Sequence, residues 1–165
     1  MCGILGYVSW RDSLPEIDQL CRATNLLKHR GPDGGGYWCE GSVFLGHRRL
    51  AVIDLESGQQ PMVSADGGKV ISYNGEVYNY IELRDELRAR GHTFRTNSDT
   101  EVVLVGYQEW GPEVASRIVG MFAVAIYDRF EQTVYLARDR FGEKPLLVAG
   151  GSHELVFASE LAPIA

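Results

Sequence analysis

The second residue of the chain carries the chemistry that is easiest to name. In Met1-Cys2-Gly3-Ile4-Leu5-Gly6, removal of Met1 leaves one residue with both a thiol and a free α-amine. An α-amine has a reference pKa of about 7.7–8.0 and a free thiol about 8.5. The amine can therefore take the thiol proton near neutral pH, so that one residue supplies both nucleophile and base. A cysteine in second place is also simply a small residue, and alone it decides nothing. Its meaning depends on what else the chain offers an acyl-transfer site.

Such a site needs donors for an oxyanion. Tyr73-Asn74-Gly75-Glu76 offers them: the Asn74 side-chain amide can donate, and Gly75 lets a backbone N–H approach a substrate. The same Asn-Gly pair is also the strongest short hairpin signal, so on these two residues alone a turn at the end of a strand is the favoured reading. An amino-acid substrate further requires opposite charges at fixed places. Arg49, in His47-Arg48-Arg49-Leu50, can clamp a carboxylate bidentately, and Asp99, in Ser98-Asp99-Thr100-Glu101, can receive an ammonium. Arg49 could equally lie on an exposed strand face, and Asp99 could merely complement a helix dipole. Rival chemistries are poorly supported. His29, His47, His92 and His153 lack metal-ligand spacing, and no Gly-x-Ser-x-Gly occurs. Asp139 and Glu143 sit among alternating charges that read as a salt-bridged loop.

The elements that must position these residues follow from periodicity and punctuation. Residues 3–8 read as a buried strand that anchors the amino terminus. Pro15 is expected to open a helix to about Lys28, and Arg30-Gly-Pro-Asp-Gly-Gly-Gly36 to form a loop without the Gly-Lys-Ser/Thr ending of a phosphate cradle. Strands are expected near 37–39, 43–50 and 69–74, with turns at 58–61 and 65–68 between them. Asn79 with Glu82, and Ser98 with Glu101, have capping-box spacing for two helices, the first stopped by Gly91. A short helix after Pro112 precedes strands at 121–127, 134–138, 146–149 and 155–158. Strand–turn–strand runs broken by a few helices predict an α+β fold with antiparallel sheets.

Bulk properties set the remaining bounds. A chain of 165 residues suits one domain, 1–165, with a sizeable core. Its net charge of -6, spread without long blocks, argues against nucleic acid or an anionic membrane as partner. Three cysteines, Cys2, Cys21 and Cys39, form neither an even framework nor a C-x-x-C, which suits a reducing compartment. With no signal sequence or span of transmembrane length, a cytoplasmic location is expected.

Taken together, the motifs resemble a known family. They run from Cys2-Gly-Ile-Leu-Gly6 through Arg30-Gly-Pro-Asp-Gly34, His47-Arg-Arg-Leu-Ala-Val-Ile-Asp54 and Gln60-Pro61 to Tyr73-Asn-Gly-Glu-Val-Tyr-Asn79. Gly91-His-Thr-Phe94, Ser98-Asp-Thr-Glu101, Gly120-Met-Phe-Ala-Val-Ala-Ile-Tyr-Asp128, Ala137-Arg-Asp-Arg140, Lys144-Pro-Leu146 and Phe157-Ala-Ser-Glu160 complete the series. In this order and spacing they resemble the glutaminase domain of asparagine synthetase, a class II glutamine amidotransferase of the N-terminal nucleophile (Ntn) hydrolase superfamily. The resemblance implies a four-layer αββα sandwich. It implies Cys2 as nucleophile with its own α-amine as base, and Asn74 and Gly75 as oxyanion hole. Arg49 would bind the glutamine α-carboxylate, Asp99 and Glu76 the α-ammonium, and Leu50, Val52 and Ile53 would line the pocket through their backbone.

The implied reaction is hydrolysis of L-glutamine to glutamate and ammonia through a Cys2 thioester, with the ammonia passed to a synthetase domain. No cofactor is expected of the glutaminase domain; ATP and magnesium would belong to the synthetase domain, whose Ser-Gly-Gly-x-Asp-Ser loop is not in this sequence. A homodimer is compatible with the resemblance. The chain departs from the family at Leu147 and Val148, where aromatics are frequent. Two further readings stand beside the enzyme: a glutamine-sensing regulatory domain without turnover, and an Ntn hydrolase of another amide.

Overall fold

The computed structural model describes residues 1–11, 13–51, 54 and 57–165. Two antiparallel sheets dominate it. In the first, the strands run β2-β3-β1-β9-β8, from β1 (Gly3–Ser9), β2 (Gly34–Glu40), β3 (Val43–Arg49), β8 (Leu147–Gly150) and β9 (Glu154–Ala158). The second runs β4-β5-β6-β7, from β4 (Met62–Val63), β5 (Lys69–Val77), β6 (Gly120–Asp128) and β7 (Thr133–Arg138). Helix α1 is Ile17–Asn25, α2 is Tyr80–Ala89, α3 is Asp99–Trp110 and α4 is Val114–Arg117.

Alternation along the strands sorts the core into three layers. Ile4, Val43 and Leu45 meet Val70, Ala123 and Ala125 between the sheets. Their neighbours Leu5 and Phe44 turn outward to Leu20 and Leu27 of the α1 region. On the far side, Ile71, Val77 and Val124 turn outward to Leu83 and Leu87 of α2 and to Val102 and Val103 of α3. Helix, sheet, sheet and helix thus stack as the expected αββα sandwich. Helix α3 is buried from Asp99 through Tyr107, as its nearly continuous apolar run requires. No helix among the described residues is long and apolar enough to cross a membrane.

Several local expectations are corrected. The helix begins at Ile17 rather than Pro15, and Gly34–Gly36 belong to β2, paired with Arg49 to His47. Asn74-Gly75 is not a turn: the pair lies within β5, opposite Ala123 and Phe122. A hairpin signal yields here to a strand that must be glycine at Gly75, where a Cβ would fall 2.5 Å from the Met121 carbonyl oxygen. Asn79 does not cap α2. Its side chain instead accepts from Val119 N–H at 2.9 Å and donates to the Arg117 carbonyl at 3.0 Å. Ser98 does cap α3 through Thr100 N–H, but Glu101 turns back to Arg95 and Thr96 N–H groups instead of closing a box. The Asp139 loop is folded by backbone N–H bonds to its carboxylate, and among the described residues no salt bridge joins it. Strand β4, of two residues, was too short to show in the pattern.

Candidate active site

Parity puts the proposed chemistry on one face. Cys2 shares the inward register of Ile4, Arg49 that of Val43, Leu45 and His47, and Asn74 that of Val70 and Ser72. At this end of the sandwich the apolar filling stops and a cleft of about 150 Å³ begins. It is lined by Cys2, Arg49, Leu50, Asn74, Gly75, Glu76 and Asp99, so the structure brings these expected residues together. Val52 and Ile53 lie outside the described residues.

The amino terminus is held firmly. Ile4 N–H donates to Ser159 Oγ at 3.0 Å, and Arg30 Nε donates to the Cys2 carbonyl at 3.0 Å. Arg30 is itself fixed by Glu160 at 2.8 Å, and this guanidinium, with His29, holds the Glu160 carboxyl below its usual range. The motifs at 30–34 and 157–160 therefore serve the nucleophile, a role their residue types alone did not disclose. Cys2 Sγ accepts from Leu50 N–H at 3.4 Å. Burial pushes the thiol up, while the Leu50 N–H, the chain amine and Arg49 pull it down. With Met1 attached, the Cys2 nitrogen is an amide, and Met1 lies on the rim of the same cleft.

Arg49 is only 6% exposed and donates to the Asp54 carbonyl at 2.5 Å. Gly58 leaves it room, since a Cβ there would sit 2.7 Å from its Nη2. Asp99 is 5% exposed in the first turn of α3; its Oδ2 accepts from Val77 N–H at 3.2 Å and from Tyr73 Oη at 3.4 Å. Burial raises its pKa above the ordinary aspartate value, against those bonds. Asn74 is 1% exposed, and its Nδ2 has no hydrogen-bond partner among the described residues. An unused buried donor is costly and calls for an explanation; His47 Nε2, Arg84 Nε and Trp110 Nε1 share that state among the described residues, and of the four only Asn74 lines the cleft with Cys2. Beneath the cleft, His47 Nδ1 meets Ser72 Oγ at 3.1 Å, and burial with Arg49 and Arg48 lowers its pKa to about 3.

Sequence reasoning missed Tyr73, Gln60 and Lys144. Tyr73 reaches the cleft because Gly75 has no side chain: its hydroxyl would lie 2.7 Å from a Cβ there. Gln60 accepts from Tyr73 N–H at 2.7 Å and donates to Thr100 Oγ1 at 3.3 Å, tying β5 to α3. A phenol beside Asn-Gly in a buried strand was the available signal for Tyr73, because a buried Tyr hydroxyl needs a polar partner. Among the described residues, no cluster of three or more His, Cys, Asp or Glu could hold a metal ion.

Two facing antiparallel sheets between helix layers, with a cysteine leading the first strand into the cleft, define the Ntn-hydrolase fold. Comparison with known proteins then gives the family. The chain belongs to the glutamine amidotransferase domain family, whose model matches residues 1–165. It is similar to glutamine-hydrolyzing asparagine synthetase 3 of Bacillus subtilis, with 44% identity over 167 residues, 99% of this chain and 27% of that protein. Glutamine-hydrolyzing asparagine synthetase 2 of Oryza sativa is 39% identical over 163 residues, 98% of this chain and 27% of the relative. This chain thus spans about a quarter of the length of these relatives. The glutamine phosphoribosylpyrophosphate amidotransferase of B. subtilis shares the fold, with a TM-score of 0.79 at 23% identity, over 99% of this chain and 43% of that one.

Proposed function

We propose that this domain hydrolyses L-glutamine to L-glutamate and ammonia, and that the ammonia feeds an asparagine-synthetase-type amidation in a synthetase domain. Arg49 takes the α-carboxylate, and Asp99 with Glu76 takes the α-ammonium. This leaves the side-chain amide at Cys2. The mature α-amine accepts the thiol proton as sulfur attacks the amide carbon. The carbonyl π pair moves to oxygen, and Asn74 Nδ2 with Gly75 N–H stabilises that charge. The Cys2 α-ammonium returns its proton to the amide nitrogen, and collapse breaks the C–N bond so that this nitrogen leaves as ammonia. Water then adds to the thioester, and the C–S bond breaks to give glutamate and the free thiol.

Asn74 Nδ2, without a partner among the described residues and lining the cleft with Cys2, carries this reading, because a buried donor without an acceptor is explained by an acceptor that forms during reaction. Glutamine, a synthetase domain and the absence of any cofactor in the glutaminase step belong to the same proposal. ATP and magnesium would act only in the synthetase domain. Incubating Met1-free protein with glutamine tests it: glutamate should appear with one equivalent of ammonia. Binding of glutamine without glutamate release would overturn it in favour of a sensor.

A further inference from the structure

Lys144 is 8% exposed and lines the cleft that holds Cys2. Its ammonium has no hydrogen bond, ion pair or ring contact among the described residues. Its ammonium is not among the side-chain atoms buried without a partner, so the stem is packed by the loop while the charge meets the cleft. The loop that carries it is built to hold it there. Asp139 accepts from the N–H groups of Phe141 at 3.1 Å, Glu143 at 2.8 Å and Lys144 at 3.0 Å. The same carboxylate accepts from Phe122 N–H at 3.3 Å, and Asp139 N–H donates to the Phe122 carbonyl at 2.8 Å. Lys144 is thereby pinned to β6 one residue beyond Met121, and Phe122 pairs with Gly75. Its backbone is thus tied to the strand that pairs with Gly75, whereas Arg49 belongs to β3.

The charges of the cleft can be matched against a bound glutamine. Arg49 answers the α-carboxylate, Asp99 and Glu76 answer the α-ammonium, and the Cys2 sulfur is answered by its own amine. Lys144 is left over. We propose that Lys144 receives the negative charge that arises at the side-chain end of the substrate, first the tetrahedral oxyanion and then the γ-carboxylate of product glutamate. This rests on the glutaminase reading. Lys144 transfers no proton; it offers a positive charge in the cleft wall, available to the negative charge that develops during reaction. Two consequences follow from one cation: faster formation of the oxyanion and a cleft that retains glutamate more tightly than a neutral wall would.

The test compares Lys144→Gln and Lys144→Met with Lys144→Arg. Glutamine turnover should fall about 10- to 100-fold in the two neutral variants, with KM for glutamine within about threefold, and Lys144→Arg should recover most of the rate. The inhibition constant for glutamate should rise about tenfold relative to that KM. A second measurement needs no turnover: the rates at which iodoacetate and iodoacetamide alkylate Cys2, read on the Cys2 peptide by mass. The iodoacetate-to-iodoacetamide ratio should drop about tenfold in Lys144→Gln and persist in Lys144→Arg, since only one reagent is an anion. A ratio and a glutamate inhibition both within twofold of the parent in folded Lys144→Gln would overturn the proposal, even if turnover fell. A ratio that drops in a protein unable to hydrolyse glutamine would keep the charge assignment and refute the glutaminase reading instead.

Discussion

The two halves of the cleft are built on opposite terms. In the recognition half, polar groups are already engaged: Asp99 holds a backbone N–H and the Tyr73 hydroxyl, Arg49 holds the Asp54 carbonyl, and Gln60 braces β5 against α3. In the reaction half, Asn74 Nδ2 and the Lys144 ammonium have no partner among the described residues, and the Cys2 thiol is pushed up by burial. Satisfied groups keep their geometry before a ligand arrives, which lowers the ordering cost of binding. Unsatisfied groups are stabilised only when charge develops, which directs their free energy to the transition state. The contrast predicts that the first half governs affinity and the second governs rate.

Mutations can break that division. The largest effect is expected of Cys2→Ala, which removes the bond-forming atom: glutamate release should fall on the order of 10⁴-fold or more, while glutamine binding by calorimetry stays within a few-fold. Asn74→Ala comes next, with about a 100- to 1,000-fold loss of kcat and little change in KM. If KM rose instead, Asn74 would belong to recognition. Arg49→Lys should act in the opposite sense, raising KM about 10- to 100-fold through loss of bidentate geometry with a smaller change in kcat. A smaller effect comes from Asp99. Its pKa is raised, so its carboxylate is lost at a higher pH than an ordinary aspartate's as the solution is acidified. KM should therefore rise on acidification before kcat does, and Asp99→Asn should flatten that rise.

His47 lies beneath both halves and should matter least to turnover at neutral pH. Neutral when folded, it binds a proton in the unfolded chain below about 6.5, so its stabilising contribution is whole above that pH and is lost as pH falls toward about 3. Linkage sets its upper size at roughly 5 kcal/mol. Denaturant unfolding at descending pH should show a steeper loss in the parent than in His47→Gln.

Much of this was legible in the residues. The strands at 3–8, 43–50 and 69–74 were readable from their residues, and in the structure their alternation carries Cys2, Arg49 and Asn74 to the cleft. What periodicity could not supply was long-range pairing. Asn74-Gly75 carries a turn signal, and only pairing with β6 shows why the strand continues. Asn79 and Glu101 have helix-cap spacing, yet tertiary partners claim their side chains. Lys144 sits amid alternating charges that read as a salt-bridged loop; its placement depends on the Asp139 carboxylate folding that loop onto Phe122, 17 residues before Asp139 in the chain. Arg30 and Glu160 meet across most of the sequence, and no local rule couples them to Cys2.

The attack of Cys2 on a bound amino-acid amide is tested most directly by intact mass of the Met1-free protein after exposure to a glutamine-like electrophile, with and without glutamine. A single adduct, mapped to Cys2, suppressed by glutamine and paralleled by loss of glutamate release, is the expected result. Continued glutamate release from fully labelled protein, or labelling that spares Cys2 while activity is lost, would contradict it.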